Sequence, residues 1–128
     1  MTYDISGELL LHIAAAGAAG ALLRYAFDNW VHRLYPTTYP SGILMVNLSG
    51  AFFIGWLAGS AASGLVTDQQ HLILAVGFAG SYTTFSGWMV QTVELALAGA
   101  WSQSFSNIIL HVFFGWILTL AGLWLGAA

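Results

Sequence analysis

The chain has 128 residues, of which 59% are hydrophobic and only 5% are charged, and its formal net charge is −3. A soluble domain carries about 25% charged residues, so this composition excludes a soluble enzyme, a nucleic-acid-binding domain and a disordered chain. Lysine is absent, which leaves no basic patch for nucleic-acid or nucleotide phosphates. The absence of cysteine excludes disulfides and thiolate metal sites.

The length predicts a small bundle of membrane-spanning helices. One span needs about 20 apolar residues, so four spans fill most of the chain and leave short loops. We therefore predict an all-α membrane protein with a single domain over residues 1–128 and the lipid bilayer as its surroundings. The first eight residues carry two acids and no basic residue, so we expect no cleaved targeting segment.

The first two predicted spans cover residues 9–30 and 42–62. In the second, every fourth residue lies on nearly one helix face. Three of these four residues are small, which allows another helix to approach closely. They are Asn47, Ala51, Gly55 and Gly59. Asn47 is either an interhelical hydrogen-bonding group, the commoner use of such an amide, or an N–H donor to an anion in a pore.

The third predicted span, residues 71–98, has an unusual middle. Residues 77–84 combine glycine with β-branched and hydroxyl side chains, all poor helix formers. We predict a break near the bilayer midplane, where freed backbone must be buried in protein or line a cavity. Carbonyl oxygens between Gly80 and Thr84 suit a hard cation such as sodium, with two chains completing the site. A simple glycine kink without an ion is the alternative.

Aromatic residues follow the predicted break. Phe85 and Trp88 are three residues apart and share a helix face. Because an aromatic ring has a positive edge, such rings could line an anion path without binding the ion tightly. Ordinary aromatic packing is the alternative reading of this pair.

The fourth predicted span, residues 105–126, carries a polar stripe at every fourth position: Asn107, His111, Gly115 and Thr119. His12 and His111 could be proposed as axial haem ligands, although membrane histidines also serve as hydrogen bonders between helices. Glu94 reads as a solvated residue near the end of the third span. No serine–histidine–acid constellation, phosphate-binding loop or zinc motif is present, so we expect no enzyme.

Charge gives little information about orientation. Arg24 and Arg33, the two basic residues, lie at the end of the first span and in the first loop. Such a weak bias permits insertion in either orientation, and hence antiparallel pairing. Arg24 either attracts an anion or extends to the interface and pairs with Asp28, four residues further on.

Three segments and the polar stripe together resemble one family over essentially the whole chain. The segments are GALLRY at 20–25, VNLSG at 46–50 and GFAGSYTTFS at 77–86. The third is highly specific, and the order of the segments resembles that of the CrcB/Fluc family of small fluoride channels. The resemblance implies an antiparallel, dual-topology homodimer of four-helix subunits with two fluoride paths, each built from both subunits.

The resemblance also implies roles for individual residues. A central structural sodium ion would be held by the backbone carbonyls of Gly80 and Thr83, and Arg24 would lie in a vestibule. The implied fluoride pathway comprises Asn47, Thr84, Phe85, Ser86, Trp88, His111 and Thr119.

The chain departs from the family pattern at three of its positions. Trp88 stands where the family has a second phenylalanine, Gln91 stands where glutamate is frequent, and His111 replaces a small hydroxyl residue. We expect fluoride conduction to persist, with the indole N–H as a possible extra donor to the ion. A histidine in the path also suggests that acid alters conduction.

The function implied by the resemblance is passive export of fluoride across a bacterial inner membrane. Hydrogen fluoride enters as a neutral acid and dissociates in the cytoplasm, and a channel lets the trapped anion leave. A small multidrug-type exporter is the main alternative, but it needs a carboxylate in the middle of the first span, where this chain has only Glu8 at the start. A structural or haem-anchoring subunit is a third class.

Overall fold

The computed structural model describes residues 6–128, and within this range every regular element is helical, which confirms the all-α prediction. The elements in chain order are α1 (Gly7–Leu34), α2 (Ser41–Ala62), α3 (Asp68–Leu72), a π-helix (Ile73–Ala79), α4 (Gly80–Tyr82), α5 (Phe85–Leu97) and α6 (Trp101–Ala127).

Local sequence explains where several helices begin and end. The Ser6 hydroxyl accepts a hydrogen bond from the Leu9 N–H at 3.2 Å and so caps α1. Thr67 and Gln70 form a reciprocal capping box at the start of α3. The turns after α2 and α5 contain Gly64 and Gly99, whose φ angles of 79° and 78° favour glycine.

Within residues 6–128, three helices are long and apolar enough to cross a membrane, namely α1, α2 and α6. They support an integral membrane protein. α1 has 28 residues and is therefore about 42 Å long, more than the roughly 30 Å of the bilayer's hydrocarbon core. It extends beyond the predicted 9–30 at both ends, and α6 begins four residues before the predicted 105.

The segment predicted as the third span is interrupted. Thr83 and Thr84 are extended, with ψ angles of 159° and 119°, and separate α4 from α5. The predicted break is therefore present, but Gly77 and Gly80 remain helical. Gly77 instead permits close packing, since a Cβ atom there would lie 2.7 Å from the Ile13 carbonyl oxygen of α1.

Small residues bring α2 and α6 into backbone contact. A Cβ atom at Gly55 or Gly59 would collide with backbone atoms of α6. Reciprocally, a Cβ atom at Gly122 or Gly126 would collide with backbone atoms of α2. The small stripe predicted on the second span is thus a helix-packing surface, and the fourth predicted span is its partner.

The α2–α6 contact predicts that alanine substitution at two glycines of α6 changes stability by different amounts. Gly122→Ala places a methyl group against the Phe52 carbonyl, whereas Gly115→Ala meets nothing within 4 Å. We expect Gly122→Ala to lower the free energy of unfolding by about 1–3 kcal/mol relative to Gly115→Ala, as overpacking does. Thermal unfolding in detergent measures this difference, and equal stabilities would contradict the packing.

Candidate functional site

A cavity of about 310 Å³ lies between α2, the helix break, α5 and α6. We call it the central cavity. Its lining residues are Asn47, Ala51, Ile54, Thr83, Thr84, Phe85, Trp88, His111, Gly115 and Thr119. Six of the seven predicted pathway residues therefore meet in one place, although four separate elements supply them.

Asn47 bonds the broken backbone in both directions. Its Nδ2 donates to the Thr84 carbonyl at 3.0 Å, and the Thr84 N–H donates to Asn47 Oδ1 at 2.8 Å. The side chain thus replaces helical hydrogen bonds that are lost at the break. Asn47 is therefore an interhelical hydrogen-bonding group. Its Nδ2 carries two hydrogens, and the bond to Thr84 uses one of them.

Thr84 also begins the next helix. Its Oγ1 accepts a hydrogen bond from the Gly87 N–H at 3.1 Å and so caps α5. Thr84 and Phe85 both line the central cavity, so the N-terminus of α5 lies at the cavity wall. A helix N-terminus carries a partial positive charge.

Three rings form a continuous aromatic group beside the cavity. The Phe85 and Trp88 ring centroids are 5.5 Å apart with perpendicular planes. The Trp88 and His111 rings lie 4.5 Å apart and nearly parallel, at 14°. Phe85 is 70% exposed in the single chain, whereas His111 is buried. The predicted aromatic pair is therefore real, and it extends to α6.

A network of polar side chains joins α5 to α6 next to these rings. The Thr92 hydroxyl donates to the Trp88 carbonyl at 2.7 Å and accepts from Asn107 Nδ2 at 2.9 Å. The Ser104 hydroxyl donates to the Thr92 carbonyl at 2.8 Å. Thr92 was not predicted as a site residue. Its position four residues after Trp88 was the available signal, since such residues share a helix face.

Four buried polar atoms around this network have no hydrogen-bond partner within residues 6–128. They are Trp88 Nε1, Gln91 Oε1, Asn107 Oδ1 and His111 Nε2. Buried polar atoms are normally paired. These atoms are one N–H donor, two side-chain carbonyl acceptors and an imidazole nitrogen, and two of the four residues, Trp88 and His111, belong to the aromatic group.

A second cavity of about 330 Å³ adjoins the first, and Thr84 lines both. We call it the arginine cavity, because Arg24 and Ser86 line it. Arg24 Nη1 donates to the Thr83 carbonyl at 3.4 Å. Ser86 therefore lies beside Arg24 and not in the central cavity, where the other predicted pathway residues lie.

Asp28 lies on the far side of the arginine cavity. Its carboxylate packs against Gly42 in the first turn of α2, where the helix dipole favours a negative charge. Pairing with Asp28 was the alternative expected for Arg24. Arg24 instead donates to the Thr83 carbonyl at the break.

The carbonyls predicted to hold sodium are freed by the break, at least in part. The usual helical partner of the Gly80 carbonyl is the Thr84 N–H, which instead bonds Asn47. The Thr83 carbonyl accepts only the long bond from Arg24. In the range 6–128 there is no cluster of three acidic, histidine or cysteine side chains that could hold a metal. Backbone carbonyl oxygens are the kind of donor that a hard cation prefers.

The remaining candidates lie elsewhere. His12 lines a small cavity with Glu8 and Gln69, separate from the cavity that contains His111. The two histidines therefore do not form one haem site. Glu94 is exposed and lines a third cavity beside His32, at the end of α5.

Three apolar spans and a largely apolar cavity at a helix break indicate an integral membrane protein. The chain matches the model of a family described as CrcB-like protein, Camphor Resistance (CrcB), over residues 11–123. It belongs to this family.

Similar proteins have nearly the same length. The chain is 39% identical over 117 residues to the fluoride-specific ion channel FluC of Sulfurovum sp. strain NBC37-1, covering 91% of this chain and 92% of the relative. It is 39% identical over 115 residues to the fluoride-specific ion channel FluC 2 of Symbiobacterium thermophilum, covering 89% and 90%. A FluC 2 of Mycobacterium tuberculosis is 37% identical over 109 residues, covering 85% and 83%.

The two hydrogen bonds between Asn47 and Thr84 predict that Asn47 stabilises the folded break. Asn47→Ala leaves the Thr84 N–H without its partner, and an unpaired buried amide costs about 1–3 kcal/mol. We expect a loss of that size in thermal unfolding. Asn29→Ala is the matched control, because Asn29 bonds only the Tyr25 carbonyl of its own helix. A loss no larger than that of the control would contradict this role.

Proposed function

We propose that the protein is a fluoride-specific ion channel that lets cytoplasmic fluoride leave passively and so lowers its toxicity. The observation that carries this proposal is the central cavity, which gathers six of the seven residues expected along a fluoride path. Relatives that match the chain over almost their whole length bear the name fluoride-specific ion channel.

The chemistry of the cavity favours an anion. Its lining includes an amide, threonine hydroxyls and aromatic rings, but no carboxylate. The N-terminus of α5 and the neighbouring Arg24 add positive potential. A cation exporter would instead need a carboxylate within the first span, and the acids of α1, Glu8 and Asp28, lie towards its two ends.

Fluoride is small and strongly hydrated, so a selective path must replace its water shell. N–H groups, hydroxyls and positive ring edges can do so at close range without trapping the ion. Asn47, Thr84 and Phe85 supply one group of each kind. The inside-negative membrane potential drives the anion outward, and no nucleotide or proton coupling is required.

Four crossings follow from combining the three long helices with the broken segment. Residues 68–97 comprise α3, the π-helix, α4 and α5. Thirty residues are enough to cross the bilayer, even with two extended residues in the middle. The broken backbone is then acceptable at membrane depth because Asn47 and the cavity, rather than lipid, surround it.

A second copy in the opposite orientation would cover the exposed side of the break. Phe85 is 70% exposed and Gly80 is also exposed. Lipid cannot satisfy polar backbone at this depth, whereas an antiparallel partner would bring a second polar surface. The weak charge bias of Arg24 and Arg33 is compatible with either orientation. The bacterial relatives support placement in a bacterial inner membrane.

In such a dimer, the Gly80 and Thr83 carbonyls of both copies would surround a structural sodium ion. One chain offers two freed oxygens, which is too few for a hard cation, and a pair of chains doubles the number. The bound cation would supply fixed positive potential near the two paths.

Ion efflux tests the proposed channel. Liposomes containing the purified protein should release fluoride, but not chloride, under an imposed potential. Phe85→Ala removes a ring from the cavity wall, and we expect fluoride efflux to fall about tenfold, equivalent to 1.4 kcal/mol at the barrier. Phe105→Ala is the matched control, because Phe105 is similarly exposed, at 67%, outside the cavity. Release of both ions, or of neither, would refute the proposal.

Replacing sodium tests the proposed dimer and its ion together. Size-exclusion chromatography in sodium chloride should give a dimer, and thermal unfolding should occur at a higher temperature than in choline chloride of equal ionic strength. The physical reason is that a ligand of the folded state alone stabilises it. A monomer would exclude the dimer, and equal unfolding temperatures would exclude the sodium site.

A further inference from the structure

Two of the three positions at which the chain departs from the family pattern, Trp88 and His111, are in contact in the folded protein. Trp88 stacks on His111 with ring centroids 4.5 Å apart, and Gln91 is one helical turn beyond Trp88, with a buried, unpartnered Oε1. We infer that His111 is a positioning residue for Trp88: its ring is a flat support that keeps the indole against the wall of the central cavity. This inference rests on the proposed channel function.

Hydrogen bonds fix the supporting ring through a closed circuit. The Trp88 carbonyl accepts from Thr92 Oγ1, which accepts from Asn107 Nδ2. The Asn107 carbonyl then contacts His111 Nδ1 at 2.8 Å. Because a carbonyl only accepts, the proton lies on Nδ1. This series of contacts starts at the Trp88 backbone and ends at the Trp88 ring, which stacks on the His111 imidazole.

The buried nitrogens argue against a direct contact between His111 and an ion in this arrangement. His111 Nε2 and Trp88 Nε1 are both inaccessible to water, and neither has a hydrogen-bond partner within the described residues. What His111 offers is therefore its flat face. Stacked rings of this kind have a defined geometry and add stabilisation beyond the burial of their surface.

Support of this kind predicts that His111 matters only while Trp88 is present. If the imidazole is shortened to a serine side chain, the indole loses one face of contact and can tilt into the cavity. A phenyl ring at position 88 lacks the second ring and cannot reach as far. The serine hydroxyl itself can bond the carbonyl four residues earlier, as Thr119 bonds Gly115 at 2.8 Å.

Four proteins test the inference: the native chain, Trp88→Phe, His111→Ser and the double variant. Fluoride efflux from liposomes should fall about tenfold on His111→Ser in the native background, but by less than about twofold in the Trp88→Phe background, a coupling typical of residues in contact. Equal losses in the two backgrounds would overturn the inference. Trp116→Phe and His12→Ser are controls, since both residues are exposed outside the central cavity.

His111→Phe separates support from the chemistry of imidazole. It keeps a flat ring but removes both nitrogens, so efflux should recover to several-fold above that of His111→Ser. An efflux as low as that of His111→Ser would show that the nitrogens, not the face, are required. If the native protein releases no fluoride, the proposed function fails on its own. Thermal unfolding of the same four proteins then tests the contact between Trp88 and His111. Additive losses of stability in the double variant would overturn the inference.

Discussion

The paired hydrogen bonds between Asn47 and Thr84 are the constraint on which the central cavity depends. A membrane-spanning segment cannot leave backbone groups unpaired in lipid. Thr83 and Thr84 nevertheless leave the helix, and the Asn47 amide supplies the donor and acceptor that Thr84 loses. The same amide is carried by α2, so the break is held at one fixed height along that helix.

The position of α2 is fixed in turn by its packing on α6. Glycines on both helices allow backbone to contact backbone, so neither helix can slide without steric overlap. Asn47 and His111 therefore approach the break from two helices that behave as one body. The cavity lies between this pair and the N-terminus of α5, and its shape follows from the packing of backbone rather than of flexible side chains.

Much of this arrangement could be predicted from the sequence. Apolar length located α1 and α2 to within a few residues, and the four-residue spacing of small side chains identified the packing face of α2. The break was expected from residues 77–84, and it falls at the two threonines that end this segment rather than at its glycines. Gly77 is helical because α1 must pack closely there, a tertiary requirement that overrides local propensity.

Contacts between distant segments were the part that sequence reasoning could not supply. Trp88 and His111 are separate departures from the family pattern in the sequence, and only the register of α5 against α6 brings their rings together. Thr92 was missed although it lies four residues after Trp88, because that spacing assigns it to a helix face and does not reveal its partner Asn107. Sequence periodicity assigns a residue to a face, whereas packing decides what that face meets.

The unpartnered atoms around Trp88 show that packing stability alone does not account for this part of the bundle. An indole N–H, two amide oxygens and an imidazole nitrogen are buried within the described chain without hydrogen bonds, which is unfavourable for stability. Apolar side chains of similar size would avoid that loss. Stable packing of a single chain therefore does not explain these residues, two of which form the stacked rings of Trp88 and His111 beside the central cavity.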